Sequence, residues 1–176
     1  ASFTTCPIGI CRCENDMTAA ITIREYRSSD LPAIAALFRD TVHAVNSADY
    51  TPAQLDAWSP GDIDCNAWDE SLSRHRTMVA VEPESGGIVG FGDIDVEHAH
   101  LDRLYVHKDY QRRRIATALC DRLEAYVPDR TITVHASITA RPFFEHRGYA
   151  VVRGQQVRRH GVMLENYVMC RTGIVS

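Results

Sequence analysis

The sequence predicts an α+β fold, an α/β/α sandwich whose mixed, largely antiparallel sheet of about seven strands carries helices on both faces. Strand-like and helix-like patterns follow one another in an order that is not the strict alternation of a doubly wound parallel fold. The length of 176 residues, 45% of them hydrophobic and 24% charged, suits one globular domain with its own core. Neither a P-loop nor a G-x-G-x-x-G pattern occurs, which disfavours nucleotide kinases and dinucleotide enzymes.

The first half of the chain predicts one strand and three helices. Apolar and polar residues alternate over 21–27 and indicate a strand. Asp30 is expected to cap a helix whose apolar stripe continues to about residue 45. Thr51 followed by proline predicts a second helix, which a Ser-Pro-Gly break ends near Trp58. A third, short helix is expected over 62–73.

The second half predicts six strands and two helices. Gly148 is expected to end the last helix in the left-handed conformation, and His160-Gly161 is expected to form a hairpin turn. The strands are expected over 77–82, 87–96, 98–107, 131–136, 149–158 and 162–170, and the helices over 112–127 and 139–147.

The composition disfavours several classes of protein. A net charge of −4 argues against a general nucleic-acid binder. No apolar run approaches the ~18–20 residues that cross a bilayer, so no membrane partner is expected. The cysteine pattern does not require an oxidising compartment, which makes the cytoplasm the expected location.

The chain is expected to be one domain behind a short extension. Residues 1–16 are polar and rich in cysteine, and Met17 opens the part that has regular patterns, so we expect an extension over 1–16 and a single domain over 17–176. A structural zinc site needs four ligands, whereas Cys6, Cys11 and Cys13 supply three. No metal is therefore predicted.

The stretch 104–119 combines a strand end, a polar turn and the start of an amphipathic helix. Arg112, Arg113 and Arg114 stand where this helix is expected to begin. Unpaired N–H groups and the partial positive charge of a helix N-terminus favour phosphate groups. The turn is thus a candidate pyrophosphate site, and the alternative is a solvated basic turn.

Two segments resemble the GCN5-related N-acetyltransferase (GNAT) superfamily. VHKDYQRRRIA resembles the acyl-CoA motif Q/R-x-x-G-x-G/A, with Gln111 at its first position and Ala116 at its last. SITARPFFEHRGY, over 137–149, is similar to the family's N-x-x-A-x-x-F-Y-x-x-x-G-F segment. The segment ASITARPFFE, followed by the segment QQVRRHGV, resembles the YafP-like branch of this family. The whole resemblance covers roughly residues 21–170.

The resemblance implies an acetyl-CoA cleft between two splayed central strands. Backbone groups at the end of the first strand would bind the pantetheine arm, and amides of the arginine turn would bind the pyrophosphate. Ser137 and an aromatic pair would line the opposite side of the arm. The implied cofactor-binding residues are Leu104, Tyr105, Val106, Gln111, Arg112, Arg113, Arg114, Ile115, Ala116, Thr117, Ser137, Phe143 and Phe144.

Two residues depart from the family pattern. Arg114 replaces the first glycine; its side chain is expected to turn outward, because a residue in the first helical turn needs no positive φ, and an inward side chain would block the site. Phe144 stands where relatives often carry a tyrosine that protonates the leaving thiolate, which phenylalanine cannot do. Tyr105 and Tyr167 are the alternative proton donors.

His100 and Asp102 are the candidate catalytic residues. Strand alternation is expected to place both on one face together with His98 and Leu104. His100 falls where some relatives hold a catalytic glutamate, and its ordinary pKa suits removal of a proton from an amine. The alternative is that the histidines are surface residues and Asp102 braces a turn. His98 and His100 alone offer too few ligands for a metal.

The predicted function is N-acetylation of a primary amine by direct attack on acetyl-CoA. The acceptor is unknown, and Trp58 and Trp68 either cover its site or fill the core. The alternative function is an acyl-CoA-binding sensor or interaction module with weak or lost catalysis. A homodimer through the strand over 162–170 is expected by analogy only.

Overall fold

The computed structural model describes residues 20–173, in which one seven-stranded mixed sheet separates two layers of helices. Seven strands in the order β1-β2-β3-β4-β5-β7-β6 make up this sheet. The neighbouring strands are antiparallel except β4 and β5, which are parallel. The predicted α+β fold is therefore confirmed. The strands are β1 Thr22–Glu25, β2 Arg76–Val81, β3 Ile88–Asp95, β4 His100–Val106, β5 Ile132–Ser137, β6 Ala150–Arg159 and β7 Val162–Arg171.

The helices cover both faces of the sheet. Their bounds are α1 Leu31–Val45, α2 Pro52–Trp58, α3 Cys65–Arg74, α4 Ile115–Glu124 and α5 Arg141–His146. One core lies against α4 and α5 and includes Leu119, Leu123 and Phe144. The other lies beneath α1, α2 and α3 and includes Ile34, Leu55 and Leu72. We call these the α4 face and the α1 face of the sheet.

Of the two side-chain caps that the sequence predicts, at Asp30 and Thr51, the structure has the second; a third, at Asp64, was not predicted. Thr51 Oγ1 accepts a hydrogen bond from Gln54 N at 3.3 Å, as the Thr-Pro pair predicts. Asp64 caps α3 by accepting from Ala67 N. Asp30 is the N-cap residue of α1 as predicted, but its carboxylate makes no capping hydrogen bond to this helix; it binds Arg24 at 2.7 Å instead and so joins the start of α1 to β1.

The turn before α4 differs from the prediction. The helix begins at Ile115, so the three arginines precede it and do not form its first turn. Arg112 and Arg114 have φ values of 62° and 60°, in the left-handed region that non-glycine residues rarely adopt. The expectation that Arg114 needs no positive φ is therefore wrong. Gly148, with φ 89°, ends α5 as predicted.

The central strands β4 and β5 separate after a short paired segment. His100 pairs with Thr133 and Leu101 with Val134, and no further pairs join the two strands. The facing edges beyond Leu101 therefore leave backbone groups open to a ligand. This opening corresponds to the two splayed central strands that the family resemblance implies.

Several expectations fall on residues outside the described range. The extension over 1–16, with Cys6, Cys11 and Cys13, lies there, as does the start of the domain at Met17. Within residues 20–173, no helix is both long and apolar enough to cross a bilayer.

Candidate functional site

A cavity of ≈ 210 Å³ opens where β4 and β5 separate. Residues of both strands form its walls, α1 and α5 contribute further side chains, and Ala116 of α4 lies at its edge. Eight of the predicted cofactor-binding residues line this first cavity: Leu104, Tyr105, Val106, Gln111, Ala116, Ser137, Phe143 and Phe144.

The other five predicted cofactor-binding residues do not line the first cavity. Ile115 is buried in the core, where it packs under β3. Arg112, Arg113 and Arg114 form the exposed turn before α4, and Thr117 lies in the first turn of that helix. The guanidinium of Arg113 stacks on the ring of Tyr110 at 4.7 Å, so at least this arginine has a structural contact of its own.

Side-chain hydrogen bonds hold both rims of the first cavity. Gln111 donates from Nε2 to the carbonyl of Val106 at 2.6 Å, which fixes the turn to the end of β4. Ser137 Oγ accepts from the backbone N–H of Ala140 at 3.0 Å. Phe144 is 2% exposed and stacks edge-on with Phe143 and Tyr149, so it contributes an apolar wall and no proton.

A second cavity of ≈ 160 Å³ adjoins the first. It is lined by residues from α2, the central strands and the β6–β7 hairpin. Five residues line both cavities and mark the junction between them: Trp58, Asp102, Tyr105, His135 and Ser137. The remaining residues of the second cavity are Tyr50, His100, Val157, Arg159, Leu164, Glu165 and Asn166.

A bulge at Asp102 divides β4. In the pairing with β3, Arg103 lies opposite Asp93 and Leu101 lies opposite Ile94, so Asp102 has no partner. The predicted common face of His98, His100, Asp102 and Leu104 is therefore wrong. His98 lies in the turn before the strand. Leu104 packs against the α4 face, while His100 lines the second cavity beside Tyr105 of the α1 face.

His100 is well placed to act as a neutral base in the second cavity. Its Nδ1 lies 2.9 Å from Thr133 Oγ1, and its ring meets that of His135 at 4.9 Å. Burial and the proximity of His135 lower the pKa of His100 below its ordinary value of 6.5. The imidazole is therefore neutral near pH 7 and able to accept a proton.

Asp102 lies between the cavities and a buried ion-pair network. Its Oδ2 is 3.4 Å from Arg103, whose guanidinium also binds Asp93 at 2.9 Å. Asp93 is fully buried, and its Oδ2 lies 2.6 Å from Nδ1 of His75. The hydrogen bond to Asp93 raises the pKa of His75, and burial raises the pKa of Asp93.

The same network brings three groups with metal-ligand chemistry together, which the sequence reading does not anticipate. Ligand atoms of His75, Asp93 and Asp102 lie within 4.8 Å of one another. The partners of Asp93 Oδ2, a histidine and the Arg103 guanidinium, already supply positive charge there. The arrangement is thus explained as an ion-pair network that holds the start of β4 against β3 and α3.

The two candidate tyrosines have different surroundings. Tyr105 lies at the junction of the cavities, between the rings of Phe38 and Phe91, and burial raises its pKa so that the phenol keeps its proton. Tyr167 lines neither cavity and donates its hydroxyl to Glu165 at 2.7 Å. Of the two, only Tyr105 is placed to reach a ligand.

The two tryptophans also differ. Trp58 lines both cavities and meets Tyr50 edge-on at 5.3 Å. Trp68 packs on Phe38 and lies under the guanidinium of Arg103, so it belongs to the core.

Several cavity residues were not singled out from the sequence. Thr41, Val45 and Asn46 come from the end of α1, where the helical stripe indicates only a buried face. Tyr50, Arg159 and Asn166 reach the second cavity from segments more than 100 residues apart, as the hydrogen bond from Tyr50 OH to the carbonyl of Glu165 illustrates. No local pattern marks such residues, because only the folded sheet brings them together.

Comparisons with known proteins find relatives in sequence and in fold. Residues 46–170 match the family described as Acetyltransferase (GNAT) domain. The uncharacterized N-acetyltransferase YafP of Escherichia coli (strain K12) is 36% identical over 149 residues, which span 85% of this chain and 94% of that protein.

Solved structures share the fold. One is the structure of a GCN5-related N-acetyltransferase from Rhodopseudomonas palustris, described as aminotransferase, class-II. It superposes with a TM-score of 0.81 at 31% identity, and the match covers 88% of this chain and 97% of that chain. The structure of yncA, a putative acetyltransferase from Salmonella typhimurium with its cofactor acetyl-CoA, has a TM-score of 0.63 at 17% identity, with coverages of 88% and 94%.

Proposed function

The chain belongs to the GNAT acetyltransferase family and is an acyltransferase, and from that premise we propose that it transfers the acetyl group of acetyl-CoA directly to a primary amine. The observation that carries the proposal is the pair of joined cavities. One follows the open edges of β4 and β5, and the other begins at Asp102 and Tyr105. A thioester in the first cavity and an amine in the second would meet at this junction.

The residues of the first cavity fit the parts of acetyl-CoA. The separated edges of β4 and β5 offer backbone groups to the amides of the pantetheine arm. The N–H groups at the start of α4 and in the turn from Arg112 to Arg114 offer donors to the pyrophosphate. Small Ala116 allows a close approach at the cavity edge. These fits support acetyl-CoA as the co-substrate.

The reaction needs a neutral amine next to the thioester. We assign proton removal to His100 or Asp102, directly or through a water molecule, because both line the acceptor cavity. The amine nitrogen then bonds to the acetyl carbon, and a backbone N–H near Tyr105 or Val106 stabilises the charge on the acyl oxygen. When the C–S bond breaks, CoA leaves as the thiolate and takes up a proton, for which the phenol of Tyr105, which lines both cavities, is the candidate donor.

The second candidate function is an acyl-CoA sensor or interaction module. It is favoured by Phe144, which cannot protonate the thiolate, and by the two arginines in left-handed conformations at the proposed phosphate turn. The sensor would bind acetyl-CoA but would not release CoA when an amine is present.

Isothermal titration with acetyl-CoA and a thiol-release assay with a panel of amines separate these functions. The enzyme should bind acetyl-CoA and release CoA only when an accepted amine is present. Binding without release for amines, peptides and aminoglycosides would support the sensor. Failure to bind acetyl-CoA would contradict both functions.

Further proposals concern location and assembly. We place the protein in the cytoplasm, without nucleic-acid or membrane partners, on the basis of its net charge of −4 and its cysteine pattern. We still propose a homodimer, but through a different strand from the one over 162–170. Because β7 pairs on both sides, the open sheet edge on this side is β6, where Val152 is 60% exposed.

A further inference from the structure

We propose that the acceptor is an amine with a carboxylate or similar anionic group at its opposite end, and that Arg159 binds this anion. This inference rests on the proposed function, because it assigns the second cavity to the acceptor. It concerns the chemical class of the substrate, which neither the family nor the comparisons specify.

The charged residues of the second cavity include Asp102 on β4 and Arg159 on β6. Glu165 also lines this cavity, and its carboxylate accepts a hydrogen bond from Tyr167 OH. Asp102 lines both cavities and therefore stands at the end next to the proposed thioester site. Arg159 lines the second cavity from β6, which the strand order β4-β5-β7-β6 places three strands from Asp102 on β4, so it belongs to the end away from that site. An amine near Asp102 and an anion near Arg159 match this order of charges.

Arg159 is available to a ligand. In the described part of the chain it forms no ion pair with a carboxylate. It is adjacent to the hairpin turn between β6 and β7, and two contacts hold that hairpin on α2. The Nδ1 of His160 lies 2.9 Å from the carbonyl of Ala57, and Gln54 Nε2 donates to the carbonyl of Met163 at 2.9 Å. The guanidinium is thus carried by an anchored segment.

Aromatic and aliphatic side chains separate the two charged ends. Tyr50, Trp58 and Tyr105 lie among the lining residues, as do Val157 and Leu164. The hydroxyl of Tyr50 donates to the carbonyl of Glu165 at 2.6 Å and accepts from Ile138 N at 2.9 Å, which fixes the ring in place. Such walls suit a short hydrocarbon chain or a ring between the amine and the anion.

The arrangement disfavours two other classes of acceptor. A diamine or polyamine would bring a second positive charge towards Arg159. An uncharged alkyl amine would offer the exposed guanidinium no hydrogen-bond acceptor, at the cost of a charged hydrogen bond. A carboxylate avoids both costs and can accept two hydrogen bonds from arginine.

Matched acceptors test the proposal. The pairs are 4-(aminomethyl)benzoate with 4-(aminomethyl)benzamide and 5-aminopentanoate with 5-aminopentanamide, so that only the charge of the far end changes within a pair. An aminoalkylphosphonate tests whether a phosphonate serves as the anion as well as a carboxylate does. We expect kcat/KM to favour the anionic member about tenfold or more, as a charged hydrogen bond predicts.

Variants of neighbouring arginines locate the effect. Arg159→Met should bring the anion-to-carboxamide ratio close to one, and Arg159→Lys should retain part of the preference. Arg158→Met is the matched control, because Arg158 is adjacent and exposed like Arg159 but lines neither the first nor the second cavity. Its ratio should equal that of the parent.

Calorimetric titration of the same acceptors into CoA-loaded protein measures binding independently of turnover. If no acceptor yields CoA, the proposed function fails, but the binding ratio still decides the role of Arg159. Equal binding of the paired acceptors, or an unchanged ratio in Arg159→Met, would overturn the inference even if amines are acetylated.

Discussion

His100 and Leu104 lie on opposite faces of the central sheet although four positions separate them along one strand. Regular alternation would place them on the same face. The extra residue of the bulge, Asp102, reverses the alternation, so that His100 lines the second cavity while Leu104 packs towards α4. The bulge thereby assigns the histidine to the amine side of the proposed reaction and the leucine to the thioester side.

Replacing His100 or Asp102 tests this assignment. His100→Gln and Asp102→Asn should each lower kcat/KM at pH 7, by about 10²-fold if the residue is the main base. His98→Gln is the matched control, because His98 is exposed, pairs with Asp95 and lines neither cavity of the site. Parent-like rates in both site variants would remove the base assignment.

The pH dependence of the reaction gives a second test of His100. Because burial lowers its pKa, His100 loses its proton below pH 6.5. The acidic limb that its titration gives the pH profile of kcat/KM should therefore lie below pH 6.5. Between pH 7 and 8.5 the rate should follow ionisation of the substrate amine. The acidic limb should be absent from His100→Gln, and a limb that persists there belongs to another group.

Tyr105→Phe tests the proposed proton donor. Removal of the hydroxyl should lower kcat, on the order of 10²-fold for a full general-acid role, and should leave acetyl-CoA affinity close to that of the parent. Tyr167→Phe removes a hydroxyl that lines neither cavity, and its kcat should match the parent value. Equal kcat in Tyr105→Phe and the parent would mean that the thiolate leaves without help from this phenol.

Arg114→Gly tests whether the proposed phosphate turn depends on backbone or side chain. Glycine adopts the observed φ of 60° without strain, which offsets its greater freedom in the unfolded chain, so stability should change by less than ~1 kcal/mol. Acetyl-CoA affinity should stay within about twofold if only backbone amides bind the phosphate.

Arg113→Gly is the matched control in the same turn, because Arg113 does not have a positive φ and stacks on Tyr110. It should lose ~0.5–1 kcal/mol of stability in urea unfolding. A large loss of affinity in Arg114→Gly would instead identify its guanidinium as a ligand contact.

Gly92 marks a close approach between the sheet and α4. An added Cβ would lie 2.9 Å from the carbonyl oxygen of Arg103 and 3.1 Å from Leu123 Cδ1. Gly92→Ala should therefore cost ~1–3 kcal/mol in urea unfolding. Gly154 also lies in a strand, but a Cβ added there would have its nearest contact at 3.7 Å. Gly154→Ala should therefore change the free energy of unfolding by only a few tenths of that amount. Similar losses in the two variants would contradict the close approach.

The His75–Asp93 pair predicts a pH dependence of stability. The pKa of His75 is raised in the folded state, so its protonation stabilises the fold below pH 6.5, and that contribution is lost as the pH rises through the folded-state pKa. The free energy of unfolding should fall over this range above pH 6.5. His75→Gln should show a flatter dependence there, and a parent-like slope in this variant would assign the effect to another group.

The sequence by itself determined the order of the elements and half of the site. Periodicity and capping predict the strands and helices because they depend on neighbours along the chain, as the Thr51 cap and the Gly148 helix end illustrate. The segments around Gln111 and Phe143 could be identified by their resemblance to family motifs, since each is continuous in sequence, and both line the first cavity.

Only the tertiary structure decided the second cavity and the backbone of the arginine turn. The bulge at Asp102 depends on how β4 registers against β3, and the left-handed backbone at Arg112 and Arg114 depends on how the turn is held between β4 and α4. The second cavity joins Tyr50 to Arg159 across the sheet. No local pattern encodes these relationships, because they arise from packing between segments that are distant in sequence.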